Sequence, residues 1–323
     1  MHQSMTPGAR RSRRPLAWLT ATLAASALAL GGAQAATAAP ASSTVTHTVG
    51  ASASATSAYW TSDRMEAAVD ADRLVAGQSR GASQDVAAGA PATVPGRAPQ
   101  TSAKPQPVSV APVAHIGKVF FTLGGVDYVC SGNSVVSANE RTVSTAGHCL
   151  NEGPGAFATN FVFAPAYENG STPFGVWTAT ELHAPSQWVS GGDIDYDTGF
   201  AVVASPAGSS ATLSDTVGAS GVAFNQARGL SYTAYGYPAA RPFDGQTLET
   251  CSGTARNDAY GTQSQGIPCD MTGGSSGGPW FIGSGAAGVQ NSVNSFGYST
   301  VRNTMFGPYW GSVIQSAYQA AQS

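Results

Sequence analysis

At 323 residues and 32.6 kDa the chain has room for two domains, or for one large domain with extensions. Only 10% of the residues are charged, while Gly and Pro number 39 and 19 and Trp, Tyr and Phe 6, 11 and 12. That balance excludes a coiled coil or a charge-rich disordered chain and points to a turn-rich β protein. The net charge of −3 gives no ground for nucleic-acid binding. It is unevenly spread: residues 1–115 hold 9 Lys and Arg against 5 Asp and Glu, residues 116–323 hold 6 against 13, and all four cysteines fall in the second part.

In chain order, Arg10, Arg11, Arg13 and Arg14 form a basic cluster ahead of an uncharged apolar run from Leu16 to Leu30, and Ala33-Gln34-Ala35 supplies a small-x-small cleavage pattern. This is the order of a secretory signal, so residues 1–35 are read as an export signal. The apolar run falls short of the roughly 20 residues that span a bilayer. Ser12-Arg13-Arg14 also fits a twin-arginine signal faintly, which leaves the export route open. The mature protein is expected outside the cell and free of the membrane, where four cysteines read as disulfides rather than metal ligands.

Residues 36–115 are dominated by Ala, Ser, Thr, Pro and Val, with Tyr59 and Trp60 the only aromatics. Such a stretch buries too little apolar surface to offset chain entropy, and is read as a mostly disordered pro-segment and linker. One piece differs. Asp63 to Ala68, following Tyr59-Trp60-Thr61, reads as a short capped helix with Asp63 and Glu66 at its positive end, able to dock on the domain that follows. Prolines recur from Ala87 to Pro112 as in a linker.

From residue 116 to 323 the pattern becomes that of a folded domain. Val119–Leu123 and Val126–Cys130 flank Gly124-Gly125 as two strands of a hairpin. Arg141–Leu150 carries a strand into a small-residue turn that ends in His148-Cys149. A lone histidine is more often structural than catalytic, but here a cysteine at the next position can pin the backbone, as a general base requires. Further on, Thr272-Gly273-Gly274-Ser275-Ser276-Gly277-Gly278-Pro279-Trp280 sets a serine among glycines immediately before a buried strand. Glycines permit the backbone conformation that aims two N–H groups at one point. The flexible-linker reading of those glycines fails on the Pro279-Trp280-Phe281-Ile282 that follows. The literal Gly-x-Ser-x-Gly of α/β-hydrolases fails as well, since that fold needs an acid and a His after the Ser, and none follows Ser276.

Thr145-Ala146-Gly147-His148-Cys149 together with Gly274–Pro279 resembles the chymotrypsin-fold serine peptidases, over about residues 115–310. Cys269–Trp280 is similar to the bacterial secreted trypsin-like and glutamyl-endopeptidase-like branch. The resemblance implies an all-β fold of two antiparallel six-stranded barrels with a short C-terminal helix. It implies a secreted serine endopeptidase acting on protein or peptide substrates as a monomer, without cofactor or metal. Ser276 is the implied nucleophile, His148 the base, and the backbone N–H groups of Gly274 and Ser276 the oxyanion hole. The acid lies in Asp193-Ile194-Asp195-Tyr196-Asp197: Asp197 fits best, because Thr198-Gly199 leads directly into Phe200–Val203, with Asp195 the alternative. The Asp-x-Asp-x-Asp alternation lacks the Gly and distal Glu of a calcium loop. Four cysteines allow three pairings; the resemblance favours Cys130–Cys149 and Cys251–Cys269. No Cys-x-x-Cys supports zinc.

Ser275 stands where many animal members carry an Asp that pairs with a freed N-terminus, so activation by that ion pair is not expected. Glutamate preference is not expected either, since no His follows Ser276 and Gln290, Asn291 and Ser292 occupy the strand beside the substrate; Asp270 is a second candidate for setting preference. Val217–Phe224 and Leu230–Tyr237 suit the second barrel, and Tyr309–Gln319 the terminal helix with Ser312 as its cap. The rival from another class is a catalytically silent relative that binds protein or cell wall.

Overall fold

The structure, a computed structural model, describes residues 43–75, 86–100, 113–283 and 285–323; the export signal read at 1–35 lies outside them. The first elements come from the stretch read as mostly disordered: β1 (Thr44–Thr48), α1 (Ala53–Tyr59), α2 (Ser62–Ala67), β2 (Val69–Asp70) and β3 (Ala92–Val94). They are followed by β4 (Ile116–Leu123), β5 (Val126–Val135), β6 (Thr142–Thr145), β7 (Thr159–Pro165), β8 (Trp177–Pro185), α3 (Ser186–Gly191), β9 (Gly199–Val203), α4 (Leu213–Val217) and β10 (Gly221–Phe224). The chain continues through β11 (Ser231–Gly236), β12 (Glu249–Thr254), β13 (Arg256–Asn257), β14 (Gln265–Pro268), β15 (Pro279–Ile282), β16 (Val289–Val293), β17 (Phe296–Tyr298), β18 (Val301–Gly307) and α5 (Ser312–Ala321).

The β4–β5 hairpin turns on Gly124 and Gly125, both at positive φ (57° and 80°), between the paired Leu123 and Val126. A two-residue turn with that geometry matches the twist of its strands, and glycine adopts it without strain. From this hairpin a closed six-stranded barrel follows: β4 to β5, β5 to β6, β6 to β9, β9 to β8, β8 to β7, and β7 back to β4. Closure leaves the barrel with one inner core, to which Val119, Phe121 and Leu123 contribute. Yet β4 is buried at every residue. Its outward residues Ile116 and Phe120 lie in a second cluster with Trp60, Met65 and Tyr237. The strand is buried on both faces because residues 43–75 and the second half of the protein cover its outside.

That second half departs from the expected six-stranded barrel. It is laid out as a six-stranded sheet, β12-β11-β15-β16-β10-β3, and a four-stranded sheet, β13-β14-β18-β17. The disulfide Cys251–Cys269 ties β12 in the first sheet to the end of β14 in the second. The described parts of residues 36–115 are likewise not the structureless linker expected. β1 pairs with β8 over five residues, β2 runs parallel to β5, and β3 is an edge strand on β10. The expected helix is present as α2, capped by the Thr61 side chain, and α1 precedes it. Composition misjudged this stretch because its few large side chains are buried in cores that other parts of the chain supply. Trp60 is 6% exposed and donates from Nε1 to the Asn160 carbonyl at 2.5 Å, while Tyr59 Oη donates to Asp127 at 2.8 Å.

Helix α5 buries Ile314, Ala317, Tyr318 and Ala321, the spacing of a single helix face. Ser312 is its first residue rather than its cap; the cap position is Gly311, and the Ser312 hydroxyl donates to the Ala87 carbonyl. Tyr318 packs on Phe200 from the barrel and on Phe224 from the second half, with ring centroids 5.8 and 5.3 Å away. The helix therefore wedges the two halves together beside the start of β9.

Lys118 also joins the halves. The residue is 2% exposed, and its amine donates to the Gly245 carbonyl at 2.9 Å and lies over the rings of Phe120 and Tyr167. Burial, opposed by Asp244, pulls its pKa down to about 8. The unfolded chain holds this proton up to the ordinary lysine value of about 10.4. Between those values the unfolded state binds more protons, so stability must rise with pH there. Comparing melting curves of the wild type and Lys118→Met from pH 7.5 to 10.5 should show the wild type gaining on the variant, by at most about 1.4 kcal/mol per pH unit. A flat difference would refute the assignment.

Candidate active site

Strand β6 delivers its C-terminal end, through Ala146, into a single helical turn at Gly147–Cys149. Cys149 is bonded to Cys130 on β5, with Sγ atoms 2.04 Å apart, so the turn is fixed from both sides. His148 is fully buried, its ring packed edge-on to Trp188. Gly147 is needed here for space. A Cβ at that position would meet the Trp188 ring at 2.9 Å and Asp197 Oδ1 at 3.0 Å.

The three acids of the 193–197 run have separate surroundings. Asp193 caps the turn Ile194–Tyr196 by accepting from the Asp195 N–H at 3.1 Å. Asp195 faces the other way and holds the loop at 263–264, accepting from the Gln263 N–H at 2.8 Å and the Ser264 hydroxyl at 2.9 Å. Asp197, with no exposed surface, is the one that meets His148. Its Oδ1 accepts from the His148 backbone N–H at 2.7 Å, and its Oδ2 lies 2.8 Å from the imidazole Nδ1. The Ser295 hydroxyl donates to the same Oδ2 at 2.5 Å. A carboxylate with three donors around it fixes the ring's rotation and places the Nδ1 proton, which leaves Nε2 as the acceptor. Nε2 is buried and has no hydrogen-bond partner among the described residues. Burial lowers the imidazole pKa, but the charge and hydrogen bond of Asp197, with a smaller contribution from Asp72, hold it above the ordinary value.

Ser276 sits on the turn between β14 and β15, and the backbone around it can be accounted for group by group. The Thr272 carbonyl accepts from the N–H and hydroxyl of Ser275, the Gly273 carbonyl from Ala239 N–H at 2.6 Å, and the Gly274 carbonyl from the Ser131 hydroxyl at 3.0 Å. The Ser275 carbonyl accepts from Gly278 N–H and Asn294 Nδ2, and the Ser276 carbonyl from Ser131 N–H at 2.7 Å. Among the described residues no acceptor takes the N–H of Gly274 or of Ser276. With the carbonyls of Thr272 to Ser276 tied back, those two donors are left for an incoming oxygen. Gly274 reaches this arrangement at φ 94°, with Ala239 packed where a side chain would project.

The Ser276 hydroxyl itself donates to Asp72, with Oδ1 3.1 Å away. Burial pushes the Asp72 carboxyl above the ordinary carboxylate range, against the pull of His148. Neither Asp72 nor Ser295 was identified from sequence. Asp72 lies in an unremarkable Asp-Ala-Asp, and Ser295 in a loop with no motif of its own. Other sequence candidates fall outside the constellation. Ser275 is buried and spends its hydroxyl on Thr272, and Asp270 is exposed. Gln290, Asn291 and Ser292 are internal, bonded to Asn133, to Tyr232 and to the Pro308 carbonyl.

No family model matches the sequence. Among solved structures the chain is similar to the protease Anisep from Arthrobacter nicotinovorans, at 65% identity and a TM-score of 0.64, over 66% of this chain and 98% of that one. It is similar to the thermostable serine protease AL20 from an extremophilic microorganism, at 56% identity and 0.63, with the same coverage. A Glu endopeptidase at 20% identity and 0.50, covering 71% of this chain and 98% of that one, shares the fold. Among curated proteins, an extracellular metalloprotease of Bacillus subtilis (strain 168) is 29% identical over 148 residues, 42% of this chain and 44% of that protein. The chain thus spans less than half of that relative. The residues here do not fit a metal. Among the described residues the grouping of potential ligands is Cys130, His148 and Cys149, and its two sulfurs are bonded to each other and carry no thiolate.

Proposed function

This chain belongs to the chymotrypsin-like serine proteases, and we propose that it is a secreted endopeptidase whose catalytic triad is Ser276, His148 and Asp197. Ser276 Oγ attacks the scissile carbonyl carbon while His148 Nε2 takes its proton. The tetrahedral oxyanion is received by the N–H groups of Gly274 and Ser276, each worth about a hundredfold or more in rate. His148 then protonates the leaving amine, and water repeats the sequence on the acyl-enzyme. Asp197 keeps the Nδ1 proton in place and stabilises the imidazolium, with Ser295 holding the carboxylate. The observation that carries this reading is the buried His148–Asp197–Ser295 network, which ends in an imidazole nitrogen with no partner among the described residues.

The chain is made as a precursor: residues 1–35 direct export and residues 36–115 are removed. Two facts support this. The two similar proteases align over nearly all of their own length but only two thirds of this chain, and the disulfides suit an oxidising compartment. Cutting between about Pro105 and Lys118 gives the mature form, as expected of a Pro-rich connector. Among the described residues no helix is long and apolar enough to cross a membrane.

Mature protein from culture medium, treated with a phosphonofluoridate, should gain one label on Ser276, and Ser276→Ala should gain none. N-terminal sequencing should place its start in the window above. A folded mature chain that takes no label would refute the peptidase reading in favour of a silent binding protein. Active secreted protein still starting near Ala36 would refute the precursor reading.

A further inference from the structure

Residues 69–75 cross the candidate active site from one half of the protein to the other. β2 lies parallel on Tyr128 and Val129 of β5, and Arg73 covers the Tyr128 ring with its guanidinium 5.1 Å from the centroid. Ala71 is fully buried in the barrel core; Leu74 packs against that core and Val75 against the cluster that barrel residues such as Trp188 and Phe200 share with Phe224 and Trp310 of the second half. Asp70 packs where a side chain on Gly273, next to the proposed oxyanion donor Gly274, would stand. Between them the backbone sets Asp72 on the Ser276 hydroxyl. Upstream, Trp60, the Arg64–Asp127 ion pair at 3.0 Å and the five-residue β1–β8 pairing anchor the segment.

We propose that Asp72 is an intramolecular latch: it accepts the hydrogen bond that the Ser276 hydroxyl must instead direct at His148, so that the chain is latent while residues 43–75 remain in place. The inference rests on the reading of Ser276 as nucleophile. A carboxylate suits the task chemically. A peptide carbonyl held over an activated serine is a substrate, with an amine to expel, whereas a carboxylate is a poor electrophile and has no leaving group at neutral pH. It blocks the nucleophile without being consumed. Its charge has a second effect, because Asp197 and Asp72 both favour the protonated form of His148, which cannot act as a base.

The pH dependence follows from the groups that face Asp72, namely His148, Asp197, Asp70 and the Ser276 hydroxyl. With the segment docked, burial raises the Asp72 pKa and Asp72 adds to the rise at His148. The docked state therefore holds more protons than the undocked one, and docking must weaken as pH rises.

The test is the rate of phosphonofluoridate labelling of the intact full-length chain, followed by mass so that any processed chain is counted separately. The intact wild type should label slowly and the processed chain fast. Intact Asp72→Ala should label about tenfold faster than intact wild type, the worth of one charge-assisted hydrogen bond. Asp72→Asn, closer in shape, should lie between them and depend less on pH than the wild type. Matching melting temperatures confirm that the variants fold. Equal rates for intact and processed wild type would overturn the latch. So would an intact Asp72→Ala as slow as the wild type beside a fast processed chain, since the segment would then block without Asp72. A processed chain that never labels would instead defeat the serine-peptidase reading itself.

Discussion

Replacing Asp197 with Asn should lower kcat of the processed enzyme about ten-thousandfold with little change in KM or melting temperature. The physical reason lies in the three donors around this side chain. Oδ1 accepts from the His148 N–H, and Oδ2 faces the imidazole Nδ1 and accepts from the Ser295 hydroxyl. An amide must present –NH2 at one of those positions. Set toward the ring, it favours the tautomer with the proton on Nε2, and the nitrogen that should receive the Ser276 proton becomes a donor. Asp193→Asn should leave turnover near wild type, since that side chain only caps a turn. Asp195→Asn should act on stability through the loop at 263–264 rather than on turnover. Steady-state kinetics of the three variants decides. A large loss in Asp195→Asn with none in Asp197→Asn would overturn the assignment.

The second large effect is expected at Gly277, the residue after the proposed nucleophile. Its φ of 81° suits glycine, and a Cβ there would collide with the Thr145 hydroxyl, the Ser131 carbonyl and, at 2.7 Å, the Ala146 N–H. Two of these are backbone groups of the barrel and cannot swing aside. Gly277→Ala should combine the left-handed penalty of about 1–2 kcal/mol with an overpacking cost of about 1–3 kcal/mol. For a domain of this size that means a loss of roughly 5–15 °C in Tm. Ser131 binds both the Ser276 and the Gly274 carbonyls, so moving it disturbs the oxyanion donors and activity should fall to background. Gly125→Ala is the control, with a similar φ of 80° but open space around it. It should show the smaller penalty alone and full activity. Equal melting temperatures for the two variants would show that the collision is relieved elsewhere.

The readable parts of the sequence were those where chemistry needs adjacent residues. Thr145–Cys149 and Gly273–Pro279 each form one local turn, so their residue types report directly on geometry. The paired glycines 124 and 125 reported the hairpin for the same reason. Choosing among Asp193, Asp195 and Asp197 was harder. The three differ by which distant groups they meet, the backbone N–H and ring of His148 in one case and the 263–264 loop in another. Ser295 is 98 residues from Asp197, and Asp72 is 204 residues from Ser276. No periodicity or local motif records such meetings. The stretch before residue 116 was misjudged for a related reason. A segment without a core of its own can still be ordered when another part of the chain provides the core, and Trp60, Met65 and Ala71 are buried in this way.

The β1–β8 pairing bears on how the protein behaves in solution. Along Glu181–Pro185 one side of β8 meets β1, and along Glu181–His183 the other meets β9. If residues 43–75 are shed, that outer row of amide and carbonyl groups loses its partner and becomes an open edge, able to template another copy's strand. The segment would then act as a chaperone for the very edge it later uncovers. What protects the edge afterwards is already in the sequence. It is five residues long, ends in Pro185 and carries the half-exposed carboxylate of Glu181, which repels a second copy laid alongside. Self-association of the mature protein should accordingly increase in Glu181→Gln, which keeps the shape of the side chain and removes its charge.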